Sequence, residues 1–136
     1  MKPGQSLFDF PIHLGRGATA VAQPQFTGMD WYAGYDERHG DDLAEGRLVS
    51  LFRFEESWTS WEMHPAGDEL VLCTAGTITL HQEIDQGGAP RTVTLEAGQA
   101  VVNRPGVWHT ADVDAPATAL FITAGAGTEV RPRSPR

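Results

Sequence analysis

Three side chains with metal-ligating or proton-transferring chemistry fall close together in residues 61–76, WEMHPAGDELVLCTAG: Glu62, His64 and Glu69. A second imidazole, His109, follows in the later stretch VWHTADV. Imidazoles and carboxylates in such numbers can hold a divalent ion or move a proton at neutral pH. Whether they do depends on which way each side chain points.

Strand geometry answers part of that question, because alternate residues share a face. In WTSWEMH, Trp58, Ser60, Glu62 and His64 fall on one face, and Thr59, Trp61 and Met63 on the other. In ELVLCT, Glu69 goes with Val71 and Cys73. In VWHTADV, Val107, His109, Ala111 and Val113 make one apolar face carrying a single imidazole. Three strands can thus each send a polar group inward among apolar neighbours. An ionisable group buried without a partner is costly. A divalent cation at their meeting point satisfies all of them together. Singly, each residue has a plainer reading: His109 as a satisfied core histidine, Glu69 as a solvated turn acid, Glu62 as a water-facing one.

The elements that must position these groups read as strands. Segments such as RLVSLFRFE, TITLHQEI, RTVTLEAG and TALFITAG are rich in β-branched and aromatic residues. Turn signals separate them at roughly the 8–12 residues expected of a sandwich or barrel. No run is long enough for the crossover helices of a parallel sheet, so an all-β antiparallel jelly roll is expected over residues 46–123. The 15 glycines and 9 prolines agree with a turn-rich chain. Residues 1–45 show neither a strand nor a helix period. They read as an irregular N-terminal arm packed on the barrel or on a partner subunit. Residues 124–136, with Arg131, Arg133 and Arg136, read as a flexible tail.

The spacing resembles that of the cupin superfamily. Its first motif, G-x(5)-H-x-H-x(3,4)-E-x(6)-G, is matched by His64, Glu69 and Gly76, with Glu62 in the first histidine position and Glu56 in place of the opening glycine. Its second, G-x(5)-P-x-G-x(2)-H-x(3)-N, is matched by Gly98, Gly106 and His109, with Arg104 in the proline position and Val113 in that of the asparagine. Carried over by position, the resemblance implies Glu62, His64, Glu69 and His109 as metal ligands in a cupin-like β-barrel. Two nitrogens and two oxygens suit Fe, Mn, Ni or Zn better than Ca or Mg. Glu62 has a second reading, as a general base beside a three-ligand metal. In a third, the ion is absent and Glu62 pairs with His64 or His109.

The function expected is that of a metal-binding protein acting on a small organic molecule in the barrel, with oxygenase, isomerase and lyase chemistry all open. The alternative is a non-catalytic ligand-binding or metal-free structural cupin. Trp58, Ser60, Val107 and Ala111 are candidate pocket walls, and Arg53 and Arg104 candidate cations there. Trp61, Met63 and Trp108 lie opposite the ligands and need cover, from the N-terminal arm or a second subunit of a homodimer. Cys73 reads as a small core residue, and His81 as part of a polar outer row with Thr77, Thr79 and Glu83. A net charge of -8 argues against nucleic acid and anionic lipid as partners. One cysteine, no membrane-length apolar run and no secretory signal in MKPGQSLFDFPIHLG make the cytoplasm the expected compartment.

Overall fold

Alternating apolar residues become strands here because every second side chain finds an apolar surface opposite it. The computed structural model describes residues 2–42, 45–85 and 87–134; Arg136 of the expected tail lies outside them. The strands, in chain order, are β1 (Ile12–Gly15), β2 (Thr19–Ala22), β3 (Arg47–Phe54), β4 (Ser60–Met63), β5 (Glu69–Ala75) and β6 (Thr77–Glu83). They continue with β7 (Arg91–Glu96), β8 (Ala100–Asn103), β9 (Trp108–Asp112), β10 (Ala117–Thr123) and β11 (Glu129–Pro132). A nine-residue helix, α1 (Trp31–His39), precedes β3.

Two antiparallel sheets result, in the orders β2-β1-β3-β10-β5-β8 and β11-β4-β9-β6-β7. The core between them takes Val71, Cys73, Ala119 and Phe121 from the first sheet and Ile78, Leu80, Leu95 and Ala111 from the second. Val71, Ile78 and Leu80 are fully buried, which stabilises the fold by about 1.5–3 kcal/mol each relative to exposure. Cys73 belongs to this core, as its inward parity implies. The tight β5–β6 turn needs Gly76: its φ is 75°, and a Cβ there would lie 2.7 Å from the Pro116 carbonyl oxygen.

Toward one end the inner faces turn polar in two matched rows. Across the first sheet, Asn103, Glu69 and Thr123 are register neighbours on β8, β5 and β10. Across the second, Glu62, His109 and Gln82 are register neighbours on β4, β9 and β6.

The N-terminal segment is more regular than its sequence suggests. β1 pairs with β3, which makes β1 and β2 part of the first sheet. In α1, Trp31 and Tyr35 lie one turn apart and form its buried side, their rings stacked at 5.5 Å. His13, buried in β1, pins the helix: its Nδ1 lies 2.6 Å from the Tyr35 hydroxyl and its Nε2 3.1 Å from Asp42. The helical period is masked because few positions of α1 are both apolar and buried, so its order comes from contacts with the sheet.

The C-terminal segment also departs from the expected tail. β11 pairs with β4 along Glu129–Pro132. Arg131 lies over the rings of Trp61 (5.1 Å) and Trp108 (4.6 Å) and pairs with Glu83. Arg133 pairs with Asp112 at 2.8 Å. The tryptophans expected to need the arm or a second subunit are therefore covered by the chain's own last strand. A short charged strand has little intrinsic tendency to form, and only the ladder with β4 makes it one.

Arg131→Ala is expected to lower stability by about 1 kcal/mol, the worth of a part-exposed cation–π contact. Denaturant titration followed by tryptophan fluorescence measures it, and the folded-state emission should shift as Trp61 and Trp108 lose their cover.

Candidate metal centre

The two polar rows face each other across the sandwich and bring the four expected residues together. Glu69 is 3% exposed, His64 6% and His109 0%. Donor atoms of Glu62, His64 and His109 all lie within 4.8 Å of one another. Glu69 bridges the imidazoles, with Oε2 3.2 Å from His64 Nε2 and Oε1 3.2 Å from His109 Nε2. The plainer reading of Glu69 gives way. Glu69 is no solvated turn acid, and Glu62 is part-buried and lines a cavity. An internal ion pair, where the rings are protonated, would be made with Glu69 by both histidines.

The outer nitrogens of both rings fix which inner nitrogen is bare. His109 Nδ1 is 3.3 Å from the Val107 carbonyl, which can only accept, so Nδ1 carries the proton. Thr128 Oγ1 donates to the Gly125 carbonyl at 2.8 Å and so accepts from His64 Nδ1, also at 2.8 Å. In the neutral rings both Nε2 atoms then carry bare lone pairs beside Glu69. The 3.2 Å contacts lack hydrogen-bond geometry, and both buried Nε2 atoms remain without a hydrogen-bond partner. A buried, bare lone pair held beside a carboxylate is relieved by a cation that both groups bind or by protonation of the ring. This is the arrangement in which imidazole binds a transition metal, its other N–H held by an acceptor. Glu62, His64 and His109 thus form a group that could hold a divalent ion, with Glu69 against both imidazoles.

Burial and charge oppose each other throughout the site. Burial alone would raise the Glu69 carboxyl, but His109 and His64 outweigh it and hold the group well below the usual carboxylate range. Glu62 is pushed up, first by burial and then by the charge of Glu69. Burial would lower His64, yet Glu69 and Glu62 together raise it. The Tyr32 hydroxyl is pushed up to about 12 by burial and then by Glu62 and Glu69, so it stays protonated.

Several residues that the sequence reading passed over complete the site. Asn103 Nδ2 donates to Glu69 Oε1 at 3.0 Å and Thr123 Oγ1 to Oε2 at 2.5 Å. Gln82 Nε2 donates to Asn103 Oδ1 at 2.7 Å, and Arg91 Nε to Gln82 Oε1 at 2.9 Å. A hydrogen-bonded chain thus runs from the surface to the buried carboxylate. Gln82 was legible, since it shares the inward parity of Ile78 and Leu80. Thr128 and Tyr32 carry no such signal, because they come from irregular stretches.

The remaining expectations divide. Trp58 and Ser60 line the cavity, whereas Ala111 belongs to the closed core. Arg53 pairs with Glu55, and Arg104 with Asp68, both on the surface and neither lining the cavity. His81 bonds Asp112 and Thr92 on the outer face. A second close group, His13, His39 and Asp42, is a different object. Both His13 nitrogens are engaged, and its ring stacks on His39 at 3.9 Å instead of converging with it on a point.

No protein-family model and no curated protein sequence matches the chain. Among solved structures it is similar to a cupin-2 domain containing protein from Shewanella frigidimarina, at 21% identity and a TM-score of 0.47, over 64% of this chain and 71% of that one. It is also similar to oxalate oxidase, at 16% identity and a TM-score of 0.50, over 60% of this chain and 44% of that one. To oxalate decarboxylase it shows 18% identity and a TM-score of 0.50, over 63% of this chain and 23% of that one. The fold is that of the cupin superfamily, an antiparallel jelly roll. No helix among the described residues is long and apolar enough to cross a membrane.

Protein made without chelator should carry divalent metal, and His64→Ala or His109→Ala should remove it, while His81→Ala leaves it in place. Elemental analysis decides, and equal content in all three variants refutes the centre. A pH dependence follows in metal-free protein. The lowered Glu69 contributes stability above its ordinary 4.5 that is lost as pH falls, and the raised His64 contributes stability below its ordinary 6.5 that is lost as pH rises. Glu69→Gln should therefore cost most, about 3–5 kcal/mol for a broken buried pair, between those two values, and less on either side.

Proposed function

We propose that this chain is a metal-binding cupin that acts on a small organic molecule held in the barrel, with Glu62, His64, Glu69 and His109 as ligands of Fe, Mn, Ni or Zn. The observation that carries this reading is the pair of buried, partnerless Nε2 atoms whose tautomers Thr128 and Val107 fix. A bound ion of this kind supplies Lewis-acid or redox chemistry at positions the protein leaves open. The chain's own residues do the rest. Glu62, Glu69 and His64 form the polar end of a cavity of about 850 Å³ between the sheets and α1. Aromatic side chains line the rest of the cavity, and their apolar surface strengthens electrostatic interactions at that end. In the arrangement where His64, Glu69 and His109 hold the ion without it, Glu62, its carboxyl pushed up by burial, takes a proton from a bound molecule or returns one.

One observation favours a second reading, a metal-free cupin. Glu69 lies 3.2 Å from both imidazoles, and protonated rings would satisfy it without an ion. Calorimetric titration with Mn, Fe(II), Ni and Zn separates the two. Uptake of one ion with proton release supports the first reading, and no uptake between pH 6 and 8 supports the second.

Glu62→Gln tests the proton-transfer role. The amide oxygen can still ligate, so metal should stay bound, while turnover of a substrate found by dioxygen-uptake or product screening falls by about 10²–10⁴. Unchanged turnover removes Glu62 from the chemistry.

A further inference from the structure

The cavity beside the centre has walls of a consistent kind. Phe26, Tyr32, Phe52, Phe54, Trp58 and Phe121 all line it. Several of their rings meet at steep angles, Phe26 and Phe52 at 5.6 Å and 76°, Phe52 and Phe121 at 5.9 Å and 62°, Phe54 and Phe121 at 5.9 Å and 83°, while Trp58 is tilted on Phe121 by 34°. Rings crossed in this way present both edges and faces to the space they enclose. An aromatic ligand gains about 0.5–1.5 kcal/mol per ring pair beyond the area it buries, and a saturated one of the same size does not. The volume, about 850 Å³, falls in the range of roughly 300–1,000 Å³ that takes ligands larger than a single ring.

Charge narrows the class further. Among the described residues, those lining the cavity include the carboxylates Asp36, Glu62 and Glu69 and no lysine or arginine. An anionic ligand would enter a low-dielectric space of its own sign, with no guanidinium or ammonium to receive it. A neutral hydroxyl suits the same space, because carboxylates accept from it. Tyr32, supplied by α1, lines the wall, and its hydroxyl makes no hydrogen bond among the described residues, so it is available as a donor.

Resting on the reading that this cavity is the functional site, we propose that its ligand is a neutral, planar aromatic molecule of two or more rings bearing a hydroxyl group. The rings lie against the aromatic wall and the hydroxyl lies at the end formed by Glu62, His64 and Tyr32. Tyr32 is the specificity-determining residue, and it makes the N-terminal segment part of the binding site.

Three matched probes test this by calorimetry on the full chain: 2-naphthol, its saturated analogue decahydro-2-naphthol, and the anion 2-naphthoate. Each is titrated into metal-loaded and chelator-treated protein, with metal content measured in parallel. The expected result is that 2-naphthol binds at least about tenfold tighter than either of the others, the equivalent of one or two ring pairs. Tyr32→Phe should weaken 2-naphthol by about threefold to tenfold, the worth of one hydrogen bond, and leave naphthalene unchanged. Equal or tighter binding of the saturated or anionic probe overturns the proposal, as does failure of 2-naphthol to bind folded protein. The same ranking in protein that takes up no metal upholds the ligand class while the metal centre fails. Metal uptake with 2-naphthoate preferred does the reverse.

Discussion

One carboxylate taken out of water between two imidazoles is the constraint on which this structure depends. Glu69 lies in β5 among residues that form the apolar core, and its burial alone disfavours the charged form. The chain answers with two imidazoles, an amide and a hydroxyl aimed at the same two oxygens. The amide is itself held by Gln82, and Gln82 by Arg91. Coulombic attraction in a low dielectric outweighs desolvation only when the remaining hydrogen-bonding positions are filled, and here they are filled from strands on both flanks.

The sheets divide the work. The first supplies the anion and its hydrogen-bond donors in one row, Asn103, Glu69 and Thr123. The second supplies Glu62 and His109, with Gln82 reaching across to Asn103. A one-residue slip in either sheet would turn its row outward, so strand register and site geometry are the same fact. The segments that looked least ordered close the assembly. α1 brings Tyr32 to the cavity wall, the stretch before β11 brings Thr128 to His64, and β11 covers Trp61 and Trp108 with Arg131.

Much of this was legible in the residues. Alternation in WTSWEMH, ELVLCT and VWHTADV put Glu62, His64, Glu69 and His109 on inward faces, and glycines such as Gly76 and Gly106 stand where φ is positive. Gln82 could have been found by the same parity. Arg53 and Arg104 were misplaced because parity near strand ends says little about where a long flexible side chain goes. Helix α1 and β11 were missed because neither has a period of its own: Trp31 and Tyr35 are ordered by β1 and β3, and β11 by its ladder with β4.

The sequence by itself determined the jelly-roll class and the inward direction of the four ionisable groups. Both are local properties, set by a two-residue period and by turns that only certain residues can make. The tertiary structure decided everything that depends on distance between strands. It made Glu69, rather than Glu62, the partner of both imidazoles. It fixed the histidine tautomers through Thr128 and the Val107 carbonyl, and it walled the cavity with rings drawn from both ends of the chain. Those outcomes depend on how segments far apart in the chain come to lie within hydrogen-bonding reach, which no local pattern encodes.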